Sequence, residues 1–185
     1  MTIAIDFDGV MNNLPYVWCE ELHENHNIVS EHRLDNYDMT KNYPELSNNQ
    51  IYGPLYKAEF WDKVKPNPYC IDVLKRLKQF GNDILIVTAT DPRCWDAKYN
   101  HCIEKYFSFI PLRDIIITAR KDLIDCDVIV DDWENNLSHC NAIRVLFDQP
   151  YNLNASISSF DYRVHNWNEL YRLIVDFNQL GIFKN

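Results

Sequence analysis

The sequence predicts an α/β fold: a parallel β-sheet sandwiched by helices, with a small, mainly helical segment inserted after the first strand. Three observations predict it. From about Pro66 onward, strand-like apolar runs alternate with amphipathic helical ones, the pattern of a sheet covered on both faces. The strand-like runs are almost continuously apolar, as strands buried on both sides are. Residues 12–65, between the first run and the rest, carry no such alternation and are too long for a plain loop.

The first run, Ile3-Ala4-Ile5, leads directly into Asp6-Phe7-Asp8-Gly9. Apolar β-branched residues stopped by Asp and Gly mark the end of a buried strand. Residues i and i+2 of an extended chain point to one side, so Asp6 and Asp8 can aim at one spot while Phe7 turns away. Next comes a helical pattern from about Pro15 to His26. The stretch to Lys65 holds short helices and turns, with Ser47 or Asn49 as a cap ahead of Phe60-Trp61.

Regularity begins at Pro68–Phe80, an amphipathic helix with Ile71, Leu74, Leu77 and Phe80 as its apolar stripe and Gly81 as its stop. Asp83–Thr88 is an apolar strand ending on a hydroxyl. Asp91 caps, and Pro92 opens, a helix running to about Phe107. Asp114–Thr118 and Asp127–Val130 are further strands, the latter ending on Asp131-Asp132. A short helix over Glu134–Cys140, a strand over Ala142–Phe147 and a helix over Asn166–Leu180 complete the pattern; Leu170, Leu173, Ile174 and Phe177 line the last helix. The expected division is a core of residues 1–11 and 66–185 and an insertion of residues 12–65.

Composition narrows the function. A formal charge of −9 disfavours nucleic-acid polymers and anionic membranes, which select for clustered Lys and Arg. A small phosphorylated ligand remains compatible if a cation offsets the charge. Eleven Tyr, nine Phe and five Trp supply the core and could grip a planar ligand. No secretory signal pattern or membrane-length apolar run occurs, and the six cysteines form no CxxC pair, so free thiols and a cytoplasmic setting are expected. Cys19, His23, His26 and His32 have a loosely metal-like spacing. Without a second Cys pair, Cys19 and His23 read as neighbours on one helical face.

In open parallel sheets, ligands bind beyond the carboxyl ends of the strands. Three strands here end in reactive side chains: Asp6 and Asp8, Thr88, and Asp131 with Asp132; Lys121 lies before the last of these. An oxygen-rich set with one ammonium suits Mg²⁺ and a phosphate. A carboxylate can attack phosphorus, and a second can move the proton. Lys and hydroxyl groups would neutralise the equatorial oxygens.

On these residues the chain resembles the haloacid dehalogenase superfamily of phosphohydrolases and, within it, is similar to the 5′(3′)-deoxyribonucleotidases. Asp6-Phe7-Asp8-Gly9-Val10 matches the first motif, Ile84–Val87 with Thr88 the second, Lys121 the third, and Val130-Asp131-Asp132 the fourth. The Lys121–Asp131 spacing and the stretch Leu146-Phe147-Asp148-Gln149-Pro150-Tyr151-Asn152 resemble the nucleotidase branch. The resemblance implies a Rossmann-like core and a helical cap. It implies Asp6 as nucleophile, Asp8 as acid and base and as a metal ligand through its carbonyl, and Thr88 and Lys121 on phosphate. Mg²⁺ would be held by Asp6, Asp8 and the Asp131/Asp132 pair, with Asp132 favoured over Asp131 as the direct ligand. Phe60, Trp61, Tyr56 and Trp18 are the cap aromatics that could stack a base; Phe60 and Trp61 are assigned to substrate binding. The implied substrate is a deoxyribonucleoside monophosphate, its base and its 3′ or 5′ ester left open. A phosphatase of another small phosphoester, such as a sugar phosphate, and a non-catalytic nucleotide-binding module are the alternatives. A homodimer is compatible with the chain, and the sequence leaves the oligomeric state open.

Overall fold

The computed structural model describes residues 1–31 and 33–182; His32 and the tail at 183–185 lie outside them. Among the described residues the strands are β1 (Thr2–Asp6), β2 (Asp83–Thr88), β3 (Ile115–Ile117), β4 (Val128–Asp131), β5 (Ile143–Phe147) and β6 (Tyr162–Val164). All pairings are parallel, in the order β3-β2-β1-β4-β5-β6. The chain moves outward from β1 to β3, then crosses to the other side with β4. The two halves meet at β1 and β4, the kind of switch point beyond which open α/β sheets bind ligands.

Strand alternation explains the two-sided core. Ile3, Ile5, Ile84, Ile86, Val128 and Val130 face one layer of helices. Ala4, Val87, Ile129 and Leu146 face the other. The first layer contains α5 (Cys70–Gln79) and α9 (Trp167–Leu180), and the short helix expected after β4 is α8 (Glu134–Leu137). The buried face of α9 is Trp167, Leu170, Ile174 and Phe177, with Leu173 at its margin. On α5 the buried stripe is Cys70, Val73, Leu74 and Leu77, an i, i+3, i+4, i+7 set. The expected stripe is therefore corrected: Ile71 is half-buried and Phe80 is 66% exposed. The helix starts at Cys70, and Phe80 falls at its C-terminal cap, where it turns outward.

The helix expected over residues 92–107 runs without a break, as a tight first turn (Pro92–Cys94), α6 (Trp95–Lys98), a wide turn (Tyr99–Ile103) and α7 (Glu104–Phe107) with right-handed helical backbone at each junction, and Asp91 caps it by accepting from Arg93 N–H. β6 was not expected, because three residues after an irregular loop give no readable alternation.

The insertion holds α1 (Leu14–His26), α2 (Met39–Asn42), α3 (Asn48–Tyr52) and α4 (Ala58–Lys63). Ser47 caps α3 in a reciprocal pair with Gln50. Cys19, Leu22, Leu34, Met39, Tyr43 and Ile51 form a cluster of their own. The Cys19 thiol is within 3.6 Å of the Arg33 carbonyl, and the His23 ring is 2.9 Å from the Tyr43 hydroxyl. Both belong to this packing, as the helical-face reading expects; His32 lies outside the described residues. The two crossings to the core run side by side: Asn13 N–H donates to Lys65 O at 3.0 Å, and Asn67 N–H to Met11 O at 2.9 Å. No helix of the described residues is long and apolar enough to cross a membrane.

The corrected stripe of α5 is testable by denaturant unfolding. Leu77→Ala should cost about 2–5 kcal/mol through a core cavity. Phe80→Ser should change stability by no more than about 0.5 kcal/mol.

Candidate active site

Strand register assembles the first part of the site. Ile5 pairs with Val130 and Asp6 with Val87, so Asp6, Asp131 and Thr88 emerge together at the carboxyl edge. After Asp6 the chain makes one wide turn, Phe7–Met11, in which Asp8 and Gly9 leave helical geometry. Gly9 has φ +80°, and a Cβ there would lie 1.9 Å from Asp132 Oδ2. Only glycine fits this approach.

The turn is held from behind. Gln149 Nε2 donates to the Gly9 carbonyl at 2.6 Å. Asn67 Nδ2 and Trp167 Nε1 donate to the Val10 carbonyl at 2.8 and 3.0 Å. Asn12 Nδ2 donates to Asp8 Oδ1 at 3.2 Å, and its own oxygen accepts from Leu14 N–H at 2.9 Å. Gln149 belongs to the stretch after β5 that was singled out in the sequence, which here acts as a back support.

Asp6, Asp131 and Asp132 are all buried, with carboxylate oxygens within 4.8 Å of one another. Lys121, 3% exposed, lies between two of them: Nζ is 2.6 Å from Asp6 Oδ1 and 2.5 Å from Asp131 Oδ2. Burial opposes its charge, but the Asp131 and Asp6 carboxylates overcome this and raise its pKa. Asp131 also accepts from Trp133 N–H at 2.9 Å and from Asn136 Nδ2 at 3.1 Å. Among the described residues, the donor to the Asp132 side chain is the Tyr151 hydroxyl.

One ammonium among three buried carboxylates leaves negative charge uncompensated. Burial, reinforced by Asp131 and Asp8 and offset in part by Lys121, raises the Asp6 carboxyl from 3.8 to about 7. Burial and the charges of Asp6 and Asp131 push Asp132 well above the ordinary carboxylate range. An all-oxygen donor set that resists ionising together fits a hard divalent cation, which would supply the missing charge.

A second buried lysine was not identified from the sequence. Lys98, at the end of α6 and 1% exposed, donates to Thr88 Oγ1 at 2.6 Å, to Thr90 Oγ1 at 2.8 Å and to Asp8 Oδ2. The signal was present in the spacing: Cys94, Lys98 and Cys102, at i, i+4 and i+8, are all buried. A lysine on the apolar stripe of a helix that follows a reactive strand end needs an anionic partner.

Two clefts open at the strand ends and share Asp8, Leu14, Tyr52, Leu55 and Ala89. The larger, about 610 Å³, is lined by Trp18, Tyr37, Trp133, Tyr151 and Asp132. The smaller, about 400 Å³, reaches Lys98, Thr90, Trp61, Tyr56 and Arg93. Trp18 and Tyr56 thus line clefts, as expected of cap aromatics. Trp61 lines the smaller cleft while donating its indole N–H to Leu55 O at 2.8 Å. Phe60 is corrected: its side chain is enclosed in the core against Trp61, a packing role set by the buried face of α4. Tyr37, Trp133 and Tyr151 were not singled out as site residues, since each comes from a separate irregular segment.

The fold is that of the haloacid dehalogenase-like hydrolases. A protein of that description from Streptococcus pneumoniae superposes with a TM-score of 0.62 at 18% identity, over 94% of this chain and 97% of that one. A family hydrolase from Deinococcus radiodurans R1, solved with bound phosphate and sodium, gives 0.63 at 11% identity, over 98% and 96%. More narrowly, residues 1–180 match the sequence profile of the "5′ nucleotidase, deoxy (Pyrimidine), cytosolic type C protein" family, and the chain belongs to that family. It is 29% identical over 179 residues to the 5′(3′)-deoxyribonucleotidase of Bacillus subtilis strain 168, covering 94% of this chain and 98% of that protein. A mitochondrial 5′(3′)-deoxyribonucleotidase of Mus musculus is 25% identical over 144 residues, covering 74% and 64%.

The charge imbalance has a measurable signature in the metal-free protein. A carboxyl that binds its proton more tightly folded than unfolded keeps extra protons on the folded chain between its two pKa values. Stability should therefore fall as pH rises from about 4 to about 7 and level off above. Thermal unfolding should show Asp6→Asn to be more stable than wild type at pH 8, with a flatter pH profile. Mg²⁺ should close most of that gap by stabilising wild type.

Proposed function

We propose that this protein is a Mg²⁺-dependent phosphomonoesterase of deoxyribonucleoside monophosphates that works through an aspartyl-phosphate on Asp6. The observation that carries this reading is the buried Asp6–Asp131–Asp132 cluster with Lys121 between Asp6 and Asp131, which reaches the larger aromatic-lined cleft through Asp132. Family membership and relatives named 5′(3′)-deoxyribonucleotidase support the substrate class.

Asp6 and Asp132 carboxylates, with the Asp8 carbonyl, would hold the metal. Asp131 is committed to Lys121, Trp133 and Asn136, which favours Asp132 as the direct ligand. When bound, Mg²⁺ supplies positive charge at the phosphoryl oxygens and keeps Asp6 ionised. Asp6 attacks phosphorus, forming an Oδ–P bond as the bond to the sugar oxygen breaks. Asp8, 24% exposed at the cleft, gives the departing alkoxide its proton. It then takes one from the water that cleaves the acyl phosphate and regenerates Asp6. Lys121 and Thr88 contact the equatorial oxygens, where neutralisation counts most in phosphoryl transfer. Lys98 ties Asp8 to Thr88 and Thr90, and so aligns the proton donor with the phosphate cradle.

Residues 12–65 act as a cap whose aromatics face the core across the clefts. Their chemistry favours a nucleobase over a sugar phosphate, which calls for a more polar wall. Stacking on such rings is worth about 1–3 kcal/mol per base.

Phosphate release from a panel of nucleoside 3′- and 5′-monophosphates tests the reading. The expected result is Mg²⁺-dependent hydrolysis with a deoxy preference, and near-complete loss in Asp6→Asn; undiminished activity in that variant would sink the mechanism. Lys98→Met should lower kcat on the order of 10²-fold or more, as loss of an aligned general acid does. Retention of wild-type kcat would remove Lys98 from the mechanism.

A further inference from the structure

Two aromatic residues of the core and one of the insertion meet over the carboxylate cluster. Tyr151, from the turn Pro150–Asn152, donates its hydroxyl to Asp132 Oδ2. That same oxygen is the one crowded by Gly9, and the Tyr151 hydroxyl is itself 2.9 Å from where a Gly9 Cβ would be. The phenol on one side and the bare glycine on the other leave this carboxylate one place to sit. Trp133 is joined to the cluster through its backbone, whose N–H donates to Asp131 Oδ1 at 2.9 Å.

From the insertion, Tyr37 lies flat on Trp133, ring centroids 4.2 Å apart and planes 1° from parallel. It meets Tyr151 edge-on at 5.7 Å and 80°. The segment that presents Tyr37 is braced. Buried Asn42 accepts from Asn36 N–H at 3.0 Å and donates to Asn36 O at 2.7 Å, and Asp38 caps α2 through Thr40 N–H at 3.0 Å. Tyr37 is thus held as a fixed projection of the insertion.

We propose that Tyr151 is a positioning residue for the Asp132 carboxylate, and that Tyr37, packed on Tyr151 and Trp133, couples docking of the segment at 36–42 to metal binding. This rests on the metal site proposed above. With its segment in place, Tyr37 walls in the Tyr151 ring and keeps its hydroxyl on Asp132. If the segment at 36–42 moved off, Tyr151 would lose that wall and Asp132 its fixed orientation, while α1 and α4 stay packed in the main core through Leu14, Val17, Phe60 and Trp61. Partners that orient a metal ligand typically matter 10–100-fold in metal affinity. Linkage makes the effect mutual: whatever factor Tyr37 docking adds to metal affinity, the metal adds to docking.

The test is calorimetric titration of Mg²⁺ alone into the full chain, in wild type, Tyr151→Phe, Tyr37→Leu, Tyr37→Phe and Trp133→Leu. Circular dichroism and the metal-free Tm establish that each variant is folded. Tyr151→Phe keeps the ring and loses only the hydroxyl; its Mg²⁺ affinity should fall about 10–100-fold. Tyr37→Leu and Trp133→Leu should fall several-fold in the same direction, and Tyr37→Phe should match wild type, because the ring is what packs. Wild type that binds no Mg²⁺ overturns the underlying metal site. Wild type that binds, with Tyr151→Phe unchanged within two-fold, overturns the positioning role. A loss in Tyr151→Phe with both Tyr37→Leu and Trp133→Leu unchanged overturns the coupling.

Discussion

The structure depends on an electrostatic imbalance: Asp6, Asp131 and Asp132 buried together against the single ammonium of Lys121. Isolated, such a cluster would be expelled to solvent or neutralised by protons. It is held because sheet register leaves no choice. Asp6 and Asp131 follow a paired Ile5 and Val130 on adjacent central strands, and both strands are anchored by apolar residues on each face. The fold's stability thus holds together carboxylates that repel one another, and that repulsion, with burial, raises the pKa of Asp6 and Asp132.

Support for this arrangement comes from all around the sheet edge. Gln149, Asn67 and Trp167, from three separate parts of the chain, saturate the Gly9 and Val10 carbonyls and fix the turn that carries Asp8. Lys98 approaches Asp8 from the helix after β2. The two lysines divide the labour. Lys121 serves the carboxylates that gather charge, and Lys98 serves the carboxylate and hydroxyls that face the cleft. The insertion adds Tyr37 to this edge, so its position and the geometry of the acidic cluster are not independent.

The strand-end residues were legible in the sequence because they terminate apolar runs. Asp6, Thr88 and Asp131 stand where a buried apolar strand ends, and such a boundary is visible in a one-dimensional pattern. The insertion was legible as an interruption of the alternation, whereas the side-by-side pairing of its two crossings, Asn13 with Lys65 and Asn67 with Met11, appears only in the structure. Lys98 was missed because a helix-borne lysine reads as solvated unless the burial of Cys94 and Cys102 on the same stripe is weighed. Tyr37, Trp133 and Tyr151 were missed for a different reason: their meeting is purely tertiary, joining three irregular segments with no shared period. Phe60 and Trp61 are adjacent in sequence, yet only Trp61 lines a cleft, a distinction set by the rotation of a six-residue helix.

The central claim is that the acidic cluster carries protons in place of a divalent cation. Calorimetric titration of Mg²⁺ in buffers of different ionisation enthalpy tests it most directly, because displaced protons appear as buffer-dependent heat. With Asp6 raised to about 7, binding should release protons at pH 6 and progressively fewer towards pH 9. Binding heats that are the same in every buffer at pH 6, or no binding of Mg²⁺ at all, would contradict the account.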